Sequence, residues 1–169
     1  MQRVGVLEVS PVTLDGRELF EIASPAVFNR DQPGQQVPVE VRAKQIEVNL
    51  NQVITQALNY AEASAEVGEA GAAPADFITV TIETVNDLPV LFSTVGPLAE
   101  PKVLLTVTDS DAQYHSLSEA ELAERWAGKL EQSFQRAWAS RQPEARQQQG
   151  QRLLLILLAS VLLTLALAG

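Results

Sequence analysis

The chain has 169 residues, of which 46% are apolar, and its 21 acidic and 12 basic side chains give a net charge of −9. This length suits one domain of ordinary size, and the apolar content excludes a wholly disordered chain. The absence of cysteine excludes disulfides, thiolate zinc sites and thiol nucleophiles. The sequence contains no dense stripe of Lys and Arg, so we expect no nucleic-acid partner.

Residues 1–11 are expected to form an unstructured N-terminus or an edge strand, and a β-hairpin follows them. Its turn is Asp15-Gly16, a pair that suits a type I′ turn because both central residues need a positive φ. With a two-residue turn, one face carries Val12, Leu14 and Leu19, and the other carries Phe20 and Ile22. Because the apolar residues of the hairpin fall on both faces, we expect either a β-bulge that brings them to one face or burial of both faces.

The first helix is predicted from Val39 onwards, after a loop over residues 23–37. Its apolar positions follow a spacing of three and four residues, namely Val39, Ala43, Ile46, Leu50, Val53 and Ala57. The pattern fades over residues 61–75, which are rich in Ala, Glu and Gly. We expect this stretch to be a mobile connection.

Three strands are predicted after this connection. They cover residues 77–85, 90–93 and 103–108. In the first of them apolar and polar residues alternate, which is typical of a half-buried strand. Asn86-Asp87 forms the turn into the second strand, and Pro89 suggests that the second strand lies at a sheet edge.

The second helix has the clearest start signal in the sequence. Ser118 can cap it, Glu121 can reach back to the Ser118 amide, and Leu117 can pack on Leu122. The apolar row of this helix consists of Ala123, Trp126, Leu130, Phe134 and Ala137. This row predicts a face that is buried in the core.

Together these elements predict an α+β extramembrane domain over residues 12–140. The predicted fold is a small antiparallel or mixed sheet of about five strands, with two helices on one face and a C-terminal transmembrane helix after them. Residues 141–152 are predicted to form a juxtamembrane helical linker.

The segment 153–169 is predicted to be the transmembrane helix, because it contains 14 apolar residues among 17 and no charge. Arg152 can reach the membrane interface. Ser160, Thr164 and Ala168 recur every four residues, either as a face for a neighbouring helix or as small residues simply tolerated in lipid. The segment is either a tail anchor or the first span of a longer protein.

We expect no catalytic site, no cofactor and no metal site. The single histidine, His115, has no accompanying serine motif and is expected in an exposed loop. Asp109-Ser110-Asp111 resembles the start of a calcium loop, but Tyr114 and Ala120 stand where that loop needs Gly and Glu. We therefore expect the two aspartates to cap a helix and to be solvated.

Two sets of residues resemble a known family. The first set is Leu14-Asp15-Gly16-Arg17, Leu19-Phe20, Arg42-Ala43, Ile46 and Leu50, and the second is residues 104–109, residues 123–127 and Leu130. Their order and spacing are similar to the N-terminal extramembrane domain of cyanobacterial-type mechanosensitive ion channel proteins of small conductance, over most of residues 12–140. The resemblance implies a larger homo-oligomeric protein of the inner or plasma membrane, in which this domain is extracytoplasmic and several spans follow. The sequence has no signal peptide and no pore helix of that family, so no pore residue is carried over.

The resemblance implies the N-terminal domain and first span of a mechanosensitive-type channel, with a structural or modulatory role, no pore of its own and no enzymatic activity. Its partners would be the lipid bilayer and other transmembrane helices or subunits. The alternative is a tail-anchored cytosolic adaptor, favoured by the missing signal peptide and by four arginines within residues 136–152. A membrane-tethered hydrolase would need an active-site cluster that the sequence does not supply.

Overall fold

The structure, a computed structural model, describes residues 2–27, 37–66, 77–97 and 99–141. The described elements are β1 (Gln2–Val4), β2 (Leu7–Leu14), β3 (Arg17–Pro25), α1 (Val39–Glu66), β4 (Ile78–Val85), β5 (Leu88–Val95), β6 (Lys102–Thr106), α2 (Asp109–His115) and α3 (Glu119–Arg141). The strands form two antiparallel three-stranded sheets, in the orders β1-β2-β3 and β4-β5-β6.

Two-residue turns connect β2 to β3 and β4 to β5. In the first turn φ is 52° at Asp15 and 73° at Gly16, and in the second it is 51° at Asn86 and 64° at Asp87. Positive φ at both central residues is the type I′ geometry, whose twist matches that of the flanking strands. The predicted Asp-Gly turn is confirmed, and the second hairpin uses the same kind of turn.

A β-bulge resolves the conflict of faces in the first hairpin. The register shifts so that Val12 pairs with Phe20 while Thr13 pairs with Glu18, which leaves Leu19 as the extra residue. The four residues Val12, Leu14, Phe20 and Ile22 are consequently all buried in the same core. The bulge expected from the sequence is confirmed.

A carboxylate from α1 fixes the bulged strand. The amide and the hydroxyl of Thr13 donate to Oε1 of Glu47 at 3.0 and 2.6 Å. Burial raises the pKa of Glu47, but these hydrogen bonds and the Lys44 ammonium lower it by more, so the pKa lies below its ordinary value. The charged carboxylate therefore anchors α1 to β2.

The amphipathic patterns of both long helices are confirmed. All six predicted apolar positions of α1 and all five of α3 are buried. The amide and hydroxyl of Ser118 donate to Oε2 of Glu121 at 3.0 and 2.6 Å, as expected of a capping box. α1 continues to Glu66, beyond the point where its pattern fades, and the rest of the predicted connection, 67–75, lies outside the described residues.

Aromatic rings join these helices to both sheets. Phe20 of β3 stacks on Trp126 of α3, with ring centroids 4.5 Å apart and an interplanar angle of 15°. Phe77, just before β4, meets the edge of Trp138 at 5.1 Å and the ring of Tyr60 at 5.4 Å. Such pairs add stability beyond their area burial. One continuous core therefore connects the two sheets, α1 and α3.

The structure is α+β, but the predicted arrangement of the fold was wrong. In place of one sheet of about five strands with two helices, the described residues form two sheets of three strands and three helices. Pro89 lies in the central strand β5 and not at an edge. It is tolerated there because it is the second residue of the strand, and only its carbonyl is used, accepting from the Val107 amide at 2.8 Å.

The prediction of a C-terminal transmembrane helix is also corrected. Within the described ranges no helix combines the length and the apolar character needed to cross a bilayer, because α1 and α3 are long but carry charged residues along their exposed faces. The segment for which the span was predicted, 153–169, lies outside the described residues, as do residues 142–152 of the predicted linker.

Substitution of Gly96 tests the packing of α1 against the second sheet. Gly96 has a φ of +84°, and a Cβ atom there would lie 2.7 Å from Cε2 of Tyr60. We expect Gly96→Ala to lower the free energy of unfolding by about 2 kcal/mol or more, because it adds both backbone strain and a collision. Urea unfolding followed by circular dichroism measures the change.

Two other glycines separate the strain from the collision. Gly16 has a φ of +73° with open space around it, so Gly16→Ala should cost only about 1 kcal/mol of strain. Gly128 lies in α3 with open space, so Gly128→Ala should stabilise the fold by about 0.5–1 kcal/mol. Equal losses for Gly96→Ala and Gly16→Ala would contradict the close approach of Tyr60.

Candidate functional site

A buried ion pair lies between the two sheets. Nη2 and Nη1 of Arg42, from α1, donate to Oδ2 and Oδ1 of Asp111, from α2, at 2.5 and 3.0 Å. The Asp111 side chain is 0% exposed and the Arg42 side chain 17%. The pair is bidentate, which is the strongest and most directional geometry available to a guanidinium and a carboxylate.

The same guanidinium bridges two strand edges. Arg42 donates to the carbonyl oxygen of Ala23 in β3 at 2.8 Å and to that of Thr106 in β6 at 2.7 Å. β3 and β6 are edge strands of different sheets. The Arg42 side chain therefore lies between β3 and β6. Direct hydrogen bonds between these two strands at that place would join the two sheets into one.

Asp111 completes the bridge from the other side. Its carboxylate accepts the Ala23 amide at 2.8 Å, and the amide and hydroxyl of Thr108 at 2.9 and 2.8 Å. The bonds from Thr108 belong to a capping box at the start of α2. Removing a charge from water is costly, and the bidentate geometry together with these additional hydrogen bonds offsets that cost.

Other side chains contact three further carbonyl oxygens of these two edges. Nε2 of His115 lies 2.8 Å from the Glu21 carbonyl oxygen, and Nζ of Lys129 lies 3.3 Å from that of Leu19, both in β3. Nδ2 of Asn49 donates to the Leu104 carbonyl in β6 at 3.0 Å. Side chains of the helices thus occupy several hydrogen-bonding groups along both inner edges, which opposes further strand addition there.

His115 is one of these side chains and not an exposed loop residue, so that prediction was wrong. Because a carbonyl can only accept, Nε2 carries the proton. The ring is half-buried and meets Trp126 edge-on at 5.7 Å. The neighbouring Tyr114 hydroxyl donates to Oε2 of Glu21 at 2.7 Å, and this bond, more than burial, raises the pKa of Tyr114.

β4 differs from these covered edges. Among the described residues its only strand partner is β5. The two-residue turn makes Val85 and Leu88 a hydrogen-bonded pair, so the even-numbered residues from 78 to 84 direct their amides and carbonyls away from β5. Seven of the eight residues of β4 are β-branched, and Glu83 is its only charge. These properties favour pairing with another strand.

The residues predicted to form an interhelical face are not part of either feature. Arg152, Ser160, Thr164 and Ala168 lie outside the described residues, and their predicted role stays a prediction. No three or more His, Asp or Glu side chains within the described ranges are grouped so as to hold a metal ion.

The sequence reasoning missed the ion pair, although one signal for it existed. Arg42 follows Val39 by three residues and precedes Ile46 by four, so it lies on the core-facing stripe of α1. A charged residue on such a stripe indicates a buried partner. Asp111 was expected to cap a helix, which is confirmed, and to be solvated, which is wrong.

Comparison with known families gives a match over residues 11–137, to a family described as a domain of unknown function, DUF8459. The chain belongs to the DUF8459 family. Searches of curated proteins and of solved structures return no match. The DUF8459 match begins within β2, ends within α3 and covers the six elements between them, including Arg42, Asp111 and the whole of β4.

These findings correct the prediction of a transmembrane helix and give no support to a relationship with mechanosensitive channels. The DUF8459 description contains no channel and no enzymatic assignment. In addition, none of the helices described by the structure is suited to crossing a membrane. What remains is a small α+β domain in which the buried Arg42–Asp111 ion pair joins the two sheets.

Substitutions at the bridge test its contribution to stability. We expect Arg42→Met to lower the free energy of unfolding by about 3–5 kcal/mol, because the Asp111 carboxylate would stay buried without its counter-ion. The double substitution Arg42→Met with Asp111→Leu should cost clearly less than the sum of the two single changes. Urea unfolding of the four proteins gives the coupling energy.

The exposed lysine of the Lys44–Glu47 ion pair provides the control for this cycle. Lys44 is 75% exposed and lies 3.4 Å from Glu47, so Lys44→Met should change stability by less than about 1 kcal/mol. A loss for Arg42→Met as small as that for Lys44→Met would show that the bridge is not needed to hold the sheets together.

Proposed function

We propose that this chain is a non-catalytic structural domain that assembles with a second copy of itself through the edge of β4. The observation that carries the proposal is an eight-residue edge strand with outward-facing backbone groups, in a fold whose inner edges are covered by side chains. The proposal keeps the structural role and the homo-oligomer expected from the sequence, without a membrane helix or a channel.

The choice of edge follows from strand length and exposure. β1 is the other outer edge, but it has only three residues and carries Arg3, and short charged edges resist pairing. β4 is longer, and Ile82 and Val85 on it are 39% and 41% exposed. Exposed β-branched residues along a long edge are typical of a strand that takes a partner.

The sequence of β4 is compatible with pairing to itself. In an antiparallel arrangement about a two-fold axis at Thr81, Val80 lies opposite Ile82 of the second copy, and Thr79 lies opposite Glu83. The apolar pair covers the exposed Ile82, and the carboxylate can accept a hydrogen bond from the hydroxyl. The even-numbered residues form the hydrogen-bonded pairs, which gives about eight backbone hydrogen bonds in total.

Charge disfavours the neighbouring register with its axis at Ile82. With the axis at Thr81, the two Glu83 carboxylates lie four residues apart along the ladder, or about 13 Å. Moving the axis to Ile82 would halve that separation and increase the repulsion between them. The net charge of −9 on each copy opposes assembly at low ionic strength, so salt should strengthen self-association.

Sedimentation velocity over a range of protein concentrations tests the proposal. We expect the wild-type chain to sediment as a dimer at high micromolar concentration. Ile82→Lys should sediment as a monomer, because a lysine on an edge strand is buried opposite Val80 only at a high desolvation cost. Val80→Pro should act in the same way, since it removes an outward-facing amide and leaves the β4–β5 ladder in place.

Val103→Lys is the matched control. Val103 is 46% exposed on β6, at the opposite side of the same sheet, so this variant should dimerise like the wild type. Circular dichroism verifies that each variant is folded. A wild-type chain that stays monomeric at all concentrations and salt levels, or an Ile82→Lys variant that dimerises as strongly as the wild type, would refute the proposal.

A further inference from the structure

A cavity of about 180 Å³ opens between the first hairpin and the last turns of α3. Arg17, the first residue of β3, and Arg136 of α3 both line it. We infer that this cavity is a binding site for a small organic oxyanion, a ligand with one carboxylate or phosphate head and a short apolar part. This inference goes beyond the structural role proposed above and does not depend on it.

The two arginines have guanidinium groups available for a ligand. Arg136 donates only to neutral oxygens, the carbonyl of Gln132 and the hydroxyl of Ser133, each at 3.2 Å. Arg17 makes no ion pair with any residue in the described part of the chain. Neither guanidinium is therefore neutralised by a carboxylate of the described residues.

The carboxylate in the cavity wall is already occupied. Oδ1 of Asp15 lies 2.6 Å from Nη2 of Arg141, and Nη1 of the same arginine is buried without a hydrogen-bond partner in the described residues. Three guanidinium groups and one carboxylate leave a local excess of positive charge, in a chain whose net charge is −9. A concave positive region of this kind attracts anions.

Shape and lining determine the ligand class. The cavity is smaller than the ~300–1,000 Å³ typical of pockets for drug-sized ligands, so a nucleotide is too large for it. A guanidinium fork matches the two oxygens of a carboxylate or a phosphate. The side chains of Leu14, Leu19 and Ala137 add an apolar wall that suits a short hydrocarbon group.

Isothermal titration calorimetry and amide chemical-shift mapping test the site, with butyrate and inorganic phosphate as probes at low salt. We expect saturable binding of at least one probe, with shifts confined to the first hairpin and the end of α3. Arg17→Gln and Arg136→Gln should each weaken binding about tenfold or more, through loss of a charged hydrogen bond. Arg125→Gln, at an exposed position of α3 that does not line the cavity, should bind like the wild type.

Substitution of Asp15 gives the most specific test of the anion site, because it should raise the affinity for the anion. Asp15→Asn keeps the type I′ turn, because Asn-Gly suits it equally well, and it releases the Arg141 guanidinium from its ion pair. We expect this variant to bind the anion several-fold more tightly than the wild type. Asp87→Asn is the matched control, since it makes the same change in the equivalent turn of the second hairpin, and it should leave affinity unchanged.

These measurements distinguish a carboxylate site, a phosphate site and the absence of an anion site. The probe that binds more tightly assigns the head group as carboxylate or phosphate. Absence of saturable binding of both probes, or equal affinity of the wild type and the Arg136→Gln variant, overturns the site. Equal gains for Asp15→Asn and Asp87→Asn overturn it as well, because they would reflect net charge alone. Sedimentation of the same variants reports separately on the β4 edge.

Discussion

The Arg42–Asp111 ion pair is the interaction on which the rest of this fold depends. One guanidinium donates to carbonyls of β3 and β6, and its partner carboxylate accepts an amide from β3 and caps α2. A buried carboxylate such as that of Asp111 is tolerated when a counter-ion and further hydrogen bonds offset its desolvation. Side chains from α1 and α2 therefore replace a β-ladder, and they hold two small sheets in one core.

This arrangement determines which surfaces remain for function. With side chains on the inner edges of β3 and β6, the edges left for a new strand among the described strands are β1 and β4, and β1 is short. The basic cavity beside the first hairpin is a separate feature, because it is built from the end of α3 and not from a strand edge. A domain with one pairing edge and one small anion site suits a structural role that a ligand could adjust.

Features set by neighbouring residues could be predicted from the sequence, and features set by distant ones could not. The Asp15-Gly16 turn, the bulge, the capping box at Ser118 and the buried stripes of the helices all follow from local spacing. The division into two sheets depends on Arg42 meeting Asp111, 69 residues away, and on Asp111 meeting Ala23, 88 residues away. Local periodicity does not predict contacts between residues so far apart in the sequence. The only indication of them was Arg42, a charged residue on the apolar stripe of α1. The resemblance to channels rested mainly on core and turn positions, which constrain packing and carry no information on conduction.

Residue-resolved amide hydrogen exchange at several protein concentrations tests the central claim most directly. The account predicts that the Ala23 amide, which points out of its sheet but donates to buried Asp111, is strongly protected at every concentration. The amides of Val80 and Ile82, which point out of the other sheet at β4, should exchange rapidly in dilute protein and become protected as the concentration rises. Rapid exchange at Ala23, as fast as at Val80 in dilute protein, would contradict the claim that the ion pair seals the inner edges and leaves β4 as the edge for assembly.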